Sequence, residues 1–298
     1  MDPRRRALLA FLATAAALRP ALAQDRRIMT RKIPSTGEEL PAIGLGTWQT
    51  FDVGADSAAR APLREVLKLL NKNLIDSSPM YGTSETVAGD LIAELGVRKQ
   101  LFMATKVWTS GRDAGIRQME TSFKRLHVKQ MDLMQVHNLV DVDTHTKTLQ
   151  DWKAKQRVRY VGITHYTSSA YAEVERQMKK AQYDFLQINY SLGERESEKR
   201  ILGLAKDSNM AVIVNRPFAE GALFRRTKGK PLPPWAAELG IESWAQYFLK
   251  WIVSHPAVTC AIPGTGNPKH MTDNLGAGRG PQPDTAARKR MTDYFDAL

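Results

Sequence analysis

The chain is poor in cysteine: its 298 residues include one, Cys260, inside the apolar run "AVTCAIP". No internal disulfide can form, and the thiol reads as a small buried apolar group. Cys and His do not fall at metal-ligand spacing, so no metal centre is expected. Runs of Lys and Arg interleaved with aromatic residues, the mark of a nucleic-acid surface, are missing as well. So is the phosphate-binding G-x-G-x-x-G that opens a doubly wound sheet, because "GLGTW" lacks the third glycine. No low-complexity tract or linker divides the chain. A content of 43% hydrophobic and 25% charged residues supports a sizeable core, in one large or two ordinary domains.

Long apolar runs are lacking too. The segment Ala7 to Leu18 is shorter than the roughly 20 residues a membrane span requires, so no stable membrane anchor is expected. It lies between a basic start and a small-residue end in "MDPRRRALLAFLATAAALRPALAQ", which is the build of a secretory signal. "ALA" at 21–23 offers an A-x-A cleavage site, making 1–23 a signal peptide and 24–298 the mature domain. Arg5 and Arg6 followed by "ALL" also resemble a twin-arginine signal for the export machinery. The expectation is a periplasmic or secreted protein, whereas translation from Met29 would leave it cytoplasmic. Losing the four Arg and one Asp of 1–23 lowers the net charge from +12 to +9. A basic balance of that size reads either as a solvated surface or as a site for a polyanionic cofactor.

What the chain does contain is an alternation of short apolar runs with longer helical patterns, repeated eight times. The runs are "AIGLGTW" (42–48), "NLIDSS" (73–78), "LFMATKV" (101–107), "DLMQVH" (132–137), "RYVGITH" (159–165), "FLQINY" (185–190), "AVIVNRP" (211–217) and "VTCAIPG" (258–264). Near-continuous apolar runs bounded by turn residues suit strands buried on both faces. Between them, "APLREVLKLLNKN", "TVAGDLIAELG" and "SWAQYFLKWIVSHP" have helical spacing; in the last, Trp244, Phe248 and Trp251 form a core-facing stripe. Eight strand-helix units in this length predict an α/β fold, the (β/α)8 TIM barrel. An N-terminal β-hairpin in "RKIPSTGEELPAI", turning at "STGEE", would close the barrel bottom, and "KGKPLPPW" (228–235) reads as a long loop after the seventh strand.

Barrels of this kind place their chemistry at the C-terminal strand ends. Asp76, near the end of the second strand, and Tyr81, in the turn "SSPMYG" (77–82) after it, then share that rim with Lys106 of "ATK" and His137 of "QVH". Tyrosine, with an ordinary pKa of about 10, is a poor acid at neutral pH. An ammonium ion stabilises its phenolate, and a carboxylate fixes the ammonium, so Asp76, Lys106 and Tyr81 can form a relay. A tyrosine so placed can protonate a carbonyl oxygen, and a neutral His137 can hydrogen-bond the same oxygen.

On these residues the chain resembles the aldo-keto reductase superfamily. The resemblance runs through "LPAIGLGTW", "LID" continuing into "SSPMYG" with Glu85 following, "ATKVW", "DLMQVH", "RYVGIT", "QINY" and "IPGTGNPKHMTDN", in order, over nearly all of the mature chain. It implies Asp76, Tyr81, Lys106 and His137 as catalytic residues, with Tyr81 as general acid in an NADPH-dependent reduction of an aldehyde or ketone. NADH is the less favoured cofactor. It also implies cofactor contacts from Gly46, Thr47 and Trp48, from Thr164, His165 and Gln187 around the nicotinamide amide, and from Asn215, Arg216, Pro217 and Phe218. Gly264, Thr265, His270, Asp273 and Asn274 would lie along the adenosine phosphate, with Lys269, Arg225 and Arg226 nearby.

Two positions depart from the family pattern. His165 stands where the family has Asn, and "VNRPF" replaces "AYSPL", so that Asn215 takes the place of the aromatic ring stacked on the nicotinamide. Arg216 would reach the pyrophosphate or lie near that ring. Short connections after His137 and at the end of the chain imply an open pocket for a small carbonyl substrate, lined by Trp48 and Trp108. The altered stacking position keeps a second reading open, a nicotinamide-binding sensor or partner-binding module with little turnover.

Overall fold

The computed structural model describes residues 28–298; the signal peptide read over 1–23 lies outside the described residues. A hairpin opens the described chain, β1 (Thr30–Lys32) pairing antiparallel with β2 (Glu39–Pro41). The eight expected strands follow: β3 (Leu45–Gly46), β4 (Leu74–Asp76), β5 (Phe102–Val107), β6 (Met131–Val136), β7 (Val158–Thr164), β8 (Phe185–Asn189), β9 (Ala211–Asn215) and β10 (Cys260–Ala261). They pair in parallel and in sequence order. The sheet closes on itself through bridges of Ile43 with Ala261 and of Gly46 with Gly264, held by Gly44 N–H to Ala261 O at 2.8 Å and Gly46 N–H to Pro263 O at 3.1 Å. Gly46 is required at this seam, because a Cβ there would lie 2.9 Å from the Ile262 carbonyl oxygen. The molecule is the (β/α)8 barrel, with helices outside the strands and the hairpin at its base.

Side chains fill the barrel interior. Ile33 and Leu40 rise from the hairpin into a cluster with Leu74, Phe102, Leu133, Tyr160, Phe185, Ile213 and Cys260. The rings of Phe102, Tyr160 and Phe185 lie 5.5 to 5.9 Å apart. Burial in this cluster pushes the Cys260 thiol well above its ordinary pKa, so it packs as an inert apolar group. The hairpin therefore closes the bottom of the barrel, and the C-terminal strand ends form its other rim.

The helix Trp244–Val253 is buried more deeply than its aromatic stripe suggests. Every residue from Gln246 to Val253 is buried, on all faces. The helix Thr285–Asp296 covers the side away from the barrel: Tyr247 Oη donates to Met291 O at 2.8 Å and Trp251 Nε1 donates to Thr292 Oγ1 at 3.0 Å. The loop expected over 228–235 is present from 228 to 233, between short helices at Ala222–Thr227 and Pro234–Leu239. Among the described residues no helix is long and apolar enough to cross a membrane.

Candidate active site

The turn after β4 is built around one glycine. Gly82 has φ +56°, and a Cβ there would fall 2.3 Å from Asp52 Oδ2. Asp52 in turn accepts from Thr83 N–H at 2.8 Å and from Thr83 Oγ1 at 2.7 Å, tying this turn to the loop after β3. Tyr81 is thereby held over the strand ends. Of eleven non-glycine residues with left-handed backbone among the described residues, seven (Gln49, Asn138, Leu139, Asp141, Arg216, Ala219 and Glu220) follow strands β3, β6 or β9. Backbone strain of this kind collects at working sites.

Asp76, at the end of β4, and Lys106, one residue before the end of β5, are both buried. Lys106 Nζ donates to Asp76 Oδ2 at 2.6 Å, to Ser77 O at 2.7 Å and to Tyr81 Oη at 3.3 Å, which uses all three ammonium protons. Gln135 Nε2 donates to Asp76 Oδ1 at 3.2 Å, so the carboxylate is held from both sides. Because Lys106 fills a lone pair of Tyr81 Oη, the phenolic proton is free to be donated away from it. Burial works against the Lys106 charge, and Asp76 and Tyr81 outweigh it, leaving its pKa above the ordinary value. For Tyr81 burial dominates over the Lys106 field, so its pKa is raised rather than lowered as the relay alone would suggest. Tyr81 is accordingly protonated at neutral pH.

His137 follows β6 and is buried, its ring 6.0 Å from that of Tyr81 at an interplanar angle of 84°. Burial first, then Lys106 and His165, pull its pKa down to about 2, so the imidazole is neutral. Its Nδ1 lies 3.2 Å from Ser78 Oγ. The four residues expected to converge do so. The parts played by Gln135, Ser77 and Ser78 carry no sequence signal, because they depend on partners far along the chain.

The residues expected around the cofactor fall into two groups. Thr164 is buried at the end of β7, its Oγ1 accepting from Asn138 N–H at 3.2 Å. Asn215 Nδ2 donates to His165 O at 3.0 Å, and His165 N–H donates to Gln187 O at 3.0 Å, which ties β7, β8 and β9 together. Gln187 Nε2 and Asn215 Oδ1 are both buried without a partner among the described residues. One free donor within β8 and one free acceptor at the end of the neighbouring β9 suit a carboxamide. Gly264 is exposed, and beyond it Asn267 caps the helix Pro268–Gly276 by accepting from Lys269 N–H at 2.9 Å, with Lys269 and His270 exposed in its first turn. Pro217 and Asn274 are buried.

Other side chains are committed elsewhere. Thr47 is fully buried, its hydroxyl turned inward to Asp76 O at 3.0 Å and Ser77 Oγ at 2.9 Å. Asp273 accepts from Ser243 Oγ and Gln246 Nε2, both at 2.7 Å, and so anchors the helix Trp244–Val253. Phe218 packs on Phe224 at 4.8 Å. Arg226 points away from the rim, its Nη2 donating to Asp296 O. Arg216 donates to Tyr166 O at 3.0 Å and lies 3.5 Å from Glu194 and 3.3 Å from Glu220, so its charge is already balanced by two carboxylates.

Around the tetrad the rim is apolar and open. Trp48 (46% exposed), Met80 (42%), Trp108 (39%) and Tyr166 (46%) stand on the loops after β3, β4, β5 and β7. Gln118 fixes the third of these, accepting from Trp108 N–H at 2.5 Å and donating to Trp108 O at 3.0 Å. A cleft of about 400 Å3 beside this rim is lined by Tyr166, Thr167, Asn189, Glu194 and Arg216 among others. The larger hollow, about 510 Å3 between Arg195, Trp251 and Arg288, is remote from the tetrad, and its cations are paired with Asp296 and Glu198.

Residues 42–288 match the profile of the aldo/keto reductase family. The methylglyoxal reductase YeaE of Escherichia coli (strain K12) is 28% identical over 247 residues, covering 79% of this chain and 84% of YeaE. Aldo-keto reductase YhdN of Bacillus subtilis (strain 168) is 29% identical over 211 residues, 64% of this chain, and the chain spans 62% of YhdN's length. In fold, an aldo-keto reductase from Klebsiella pneumoniae solved in complex with NADPH aligns with a TM-score of 0.73 and 22% identity, over 90% of this chain and 95% of that one. With the profile spanning most of its length and the barrel matching, the chain belongs to the aldo/keto reductase family of NAD(P)H-dependent oxidoreductases.

Proposed function

We propose that the protein reduces an aldehyde or ketone to the alcohol with NADPH, Tyr81 acting as the general acid. The observation that carries this reading is the fully buried ammonium of Lys106, bonded at once to Asp76 and to the Tyr81 hydroxyl. NADPH, when bound, supplies the hydride. Its carboxamide would be held by Gln187 Nε2 and Asn215 Oδ1, the unpartnered donor and acceptor, and by Thr164 and His165 beside them. Lys269 and His270, in the first turn of a capped helix, would face its phosphate, since a helix N-terminus with a cation beside it favours an anion. That the Klebsiella pneumoniae protein of the same fold binds NADPH supports an NADP-type cofactor here.

The chain's own residues then do three things. The apolar rim of Trp48, Met80 and Trp108 holds the body of the substrate. His137, neutral, orients the carbonyl oxygen. Tyr81 gives its proton to that oxygen, and Lys106 stabilises the phenolate that remains, while Asp76 keeps the ammonium charged and in place. Positioned proton donors of this kind contribute about 10²- to 10⁴-fold in rate.

Fluorescence-quenching titrations with NADPH and NADH, followed by NADPH-oxidation assays over a panel of aldehydes, ketones and quinones, test the proposal. Tighter binding of NADPH and turnover of at least one carbonyl class are expected. Tight nucleotide binding with no turnover on any of them would favour a nicotinamide-binding module instead, and no nucleotide binding at all would sink both readings.

A further inference from the structure

The turn between Asp76 and Tyr81 holds a hydroxyl that the chemistry above does not use. Ser78 is fully buried. Its Oγ accepts from Met80 N–H at 3.3 Å and lies 3.2 Å from His137 Nδ1. A serine hydroxyl has two lone pairs and one proton to give. The Met80 amide can only donate, so it takes a lone pair, and the hydroxyl proton must find an acceptor elsewhere. Among the described residues His137 Nδ1 is the acceptor within reach.

Two assignments are possible for a neutral imidazole, which carries a single ring proton. With that proton on Nδ1, Ser78 Oγ would face two donors, and its own proton would be buried with no acceptor. With it on Nε2, Ser78 donates to Nδ1, Met80 donates to Ser78, and the Ser78 hydroxyl and His137 Nδ1 are both satisfied. His137 Nε2 has no hydrogen-bond partner among the described residues, which leaves it available to a ligand. The depressed pKa of His137 supports the count of one ring proton.

We propose that Ser78 is a positioning residue that gives its hydroxyl proton to His137 Nδ1 and thereby holds the imidazole as the Nε2–H tautomer, presenting a donor to the carbonyl oxygen. The inference rests on the carbonyl-reductase reading of the site. Its chemical sense is that the wrong tautomer would set a nitrogen lone pair against the oxygen that Tyr81 protonates, and developing negative charge there would be repelled instead of stabilised. Ser78 acts in this only through His137 and touches neither substrate nor cofactor.

The test is the ¹⁵N spectrum of histidine-labelled protein at neutral pH without substrate, with His137→Gln used to assign the His137 resonances. Wild type is expected to show the Nε2–H tautomer. Ser78→Ala is expected to move those resonances toward a mixture of tautomers and to lower kcat about tenfold, with KM for NADPH unchanged. Ser78→Thr, which keeps the hydroxyl, is expected to restore both. An Nδ1–H signal in wild type would overturn the proposal, as would Ser78→Ala with wild-type spectrum and kcat, or a folded Ser78→Thr that behaves like Ser78→Ala. The spectrum needs no turnover, so a failure of carbonyl reduction in wild type would count against the function and leave the tautomer result standing.

Discussion

Asp76→Asn is the perturbation whose cost follows most directly from the structure. Lys106 has no exposed surface, and of its three partners only Asp76 is an anion at neutral pH. The substitution keeps the shape and one acceptor oxygen but leaves a buried ammonium with no counter-charge. Breaking a buried ion pair from one side costs about 3–5 kcal/mol. For a chain of this size about 1 kcal/mol corresponds to a 2–4 °C change in Tm, so a fall of roughly 6–20 °C is expected. Lys106→Met in the same background removes the stranded charge, and the double variant is predicted to be more stable than Asp76→Asn alone, with a coupling of about 1–3 kcal/mol. Urea unfolding followed by circular dichroism, with Tm in parallel, measures both quantities, provided the urea slope stays constant across the set. A cost below about 1 kcal/mol for Asp76→Asn, or strict additivity in the double variant, would refute the ion pair as described.

Two further outcomes are expected. His137 and His255 have pKa values pulled down by burial to about 2 and about 4, so both take up protons more readily in the unfolded chain than in the folded one. Their stabilising contribution is intact above the ordinary histidine value of 6.5 and is lost as pH falls below it, toward 4 for His255 and further for His137. Unfolding free energies measured from pH 7 downward should fall, and His137→Asn should flatten the decline; an unchanged slope would contradict the burial of that ring. Gly82→Ala forces a side chain into left-handed backbone and against Asp52. It should cost at least about 1–2 kcal/mol in stability and displace Tyr81, read as a drop in both Tm and kcat; a neutral Gly82→Ala would show that the turn is looser than its geometry implies.

Legibility in the sequence depends on range. The eight apolar runs and the rim positions of Asp76, Tyr81, Lys106 and His137 follow from periodicity and strand ends, which are local properties. Strand length at the seam is not legible: of 42–48 only Leu45–Gly46 forms a strand, because closure is made by single bridges to Ala261 and Gly264. Ser78 and Gln135 escape a sequence reading for the same reason, since each finds its partner 59 residues away. The bonds of Asp273 are not legible either, because an acid on a helix has the same sequence appearance whether it faces a ligand or anchors a neighbour, and only the fold brings Ser243 and Gln246 to it. The raised pKa of Tyr81 is hidden in a comparable way, since the Lys106 field is legible from chemistry but the burial that outweighs it exists only in the fold.

The central claim is that Tyr81 delivers the proton. Stopped-flow mixing of preformed enzyme–NADPH complex with a reducible aldehyde, followed at the nicotinamide absorbance, tests it in a single turnover for wild type and Tyr81→Phe. Proton delivery by Tyr81 predicts unchanged NADPH affinity and a rate lower by about 10²-fold or more in Tyr81→Phe. Equal single-turnover rates in the two proteins would contradict it.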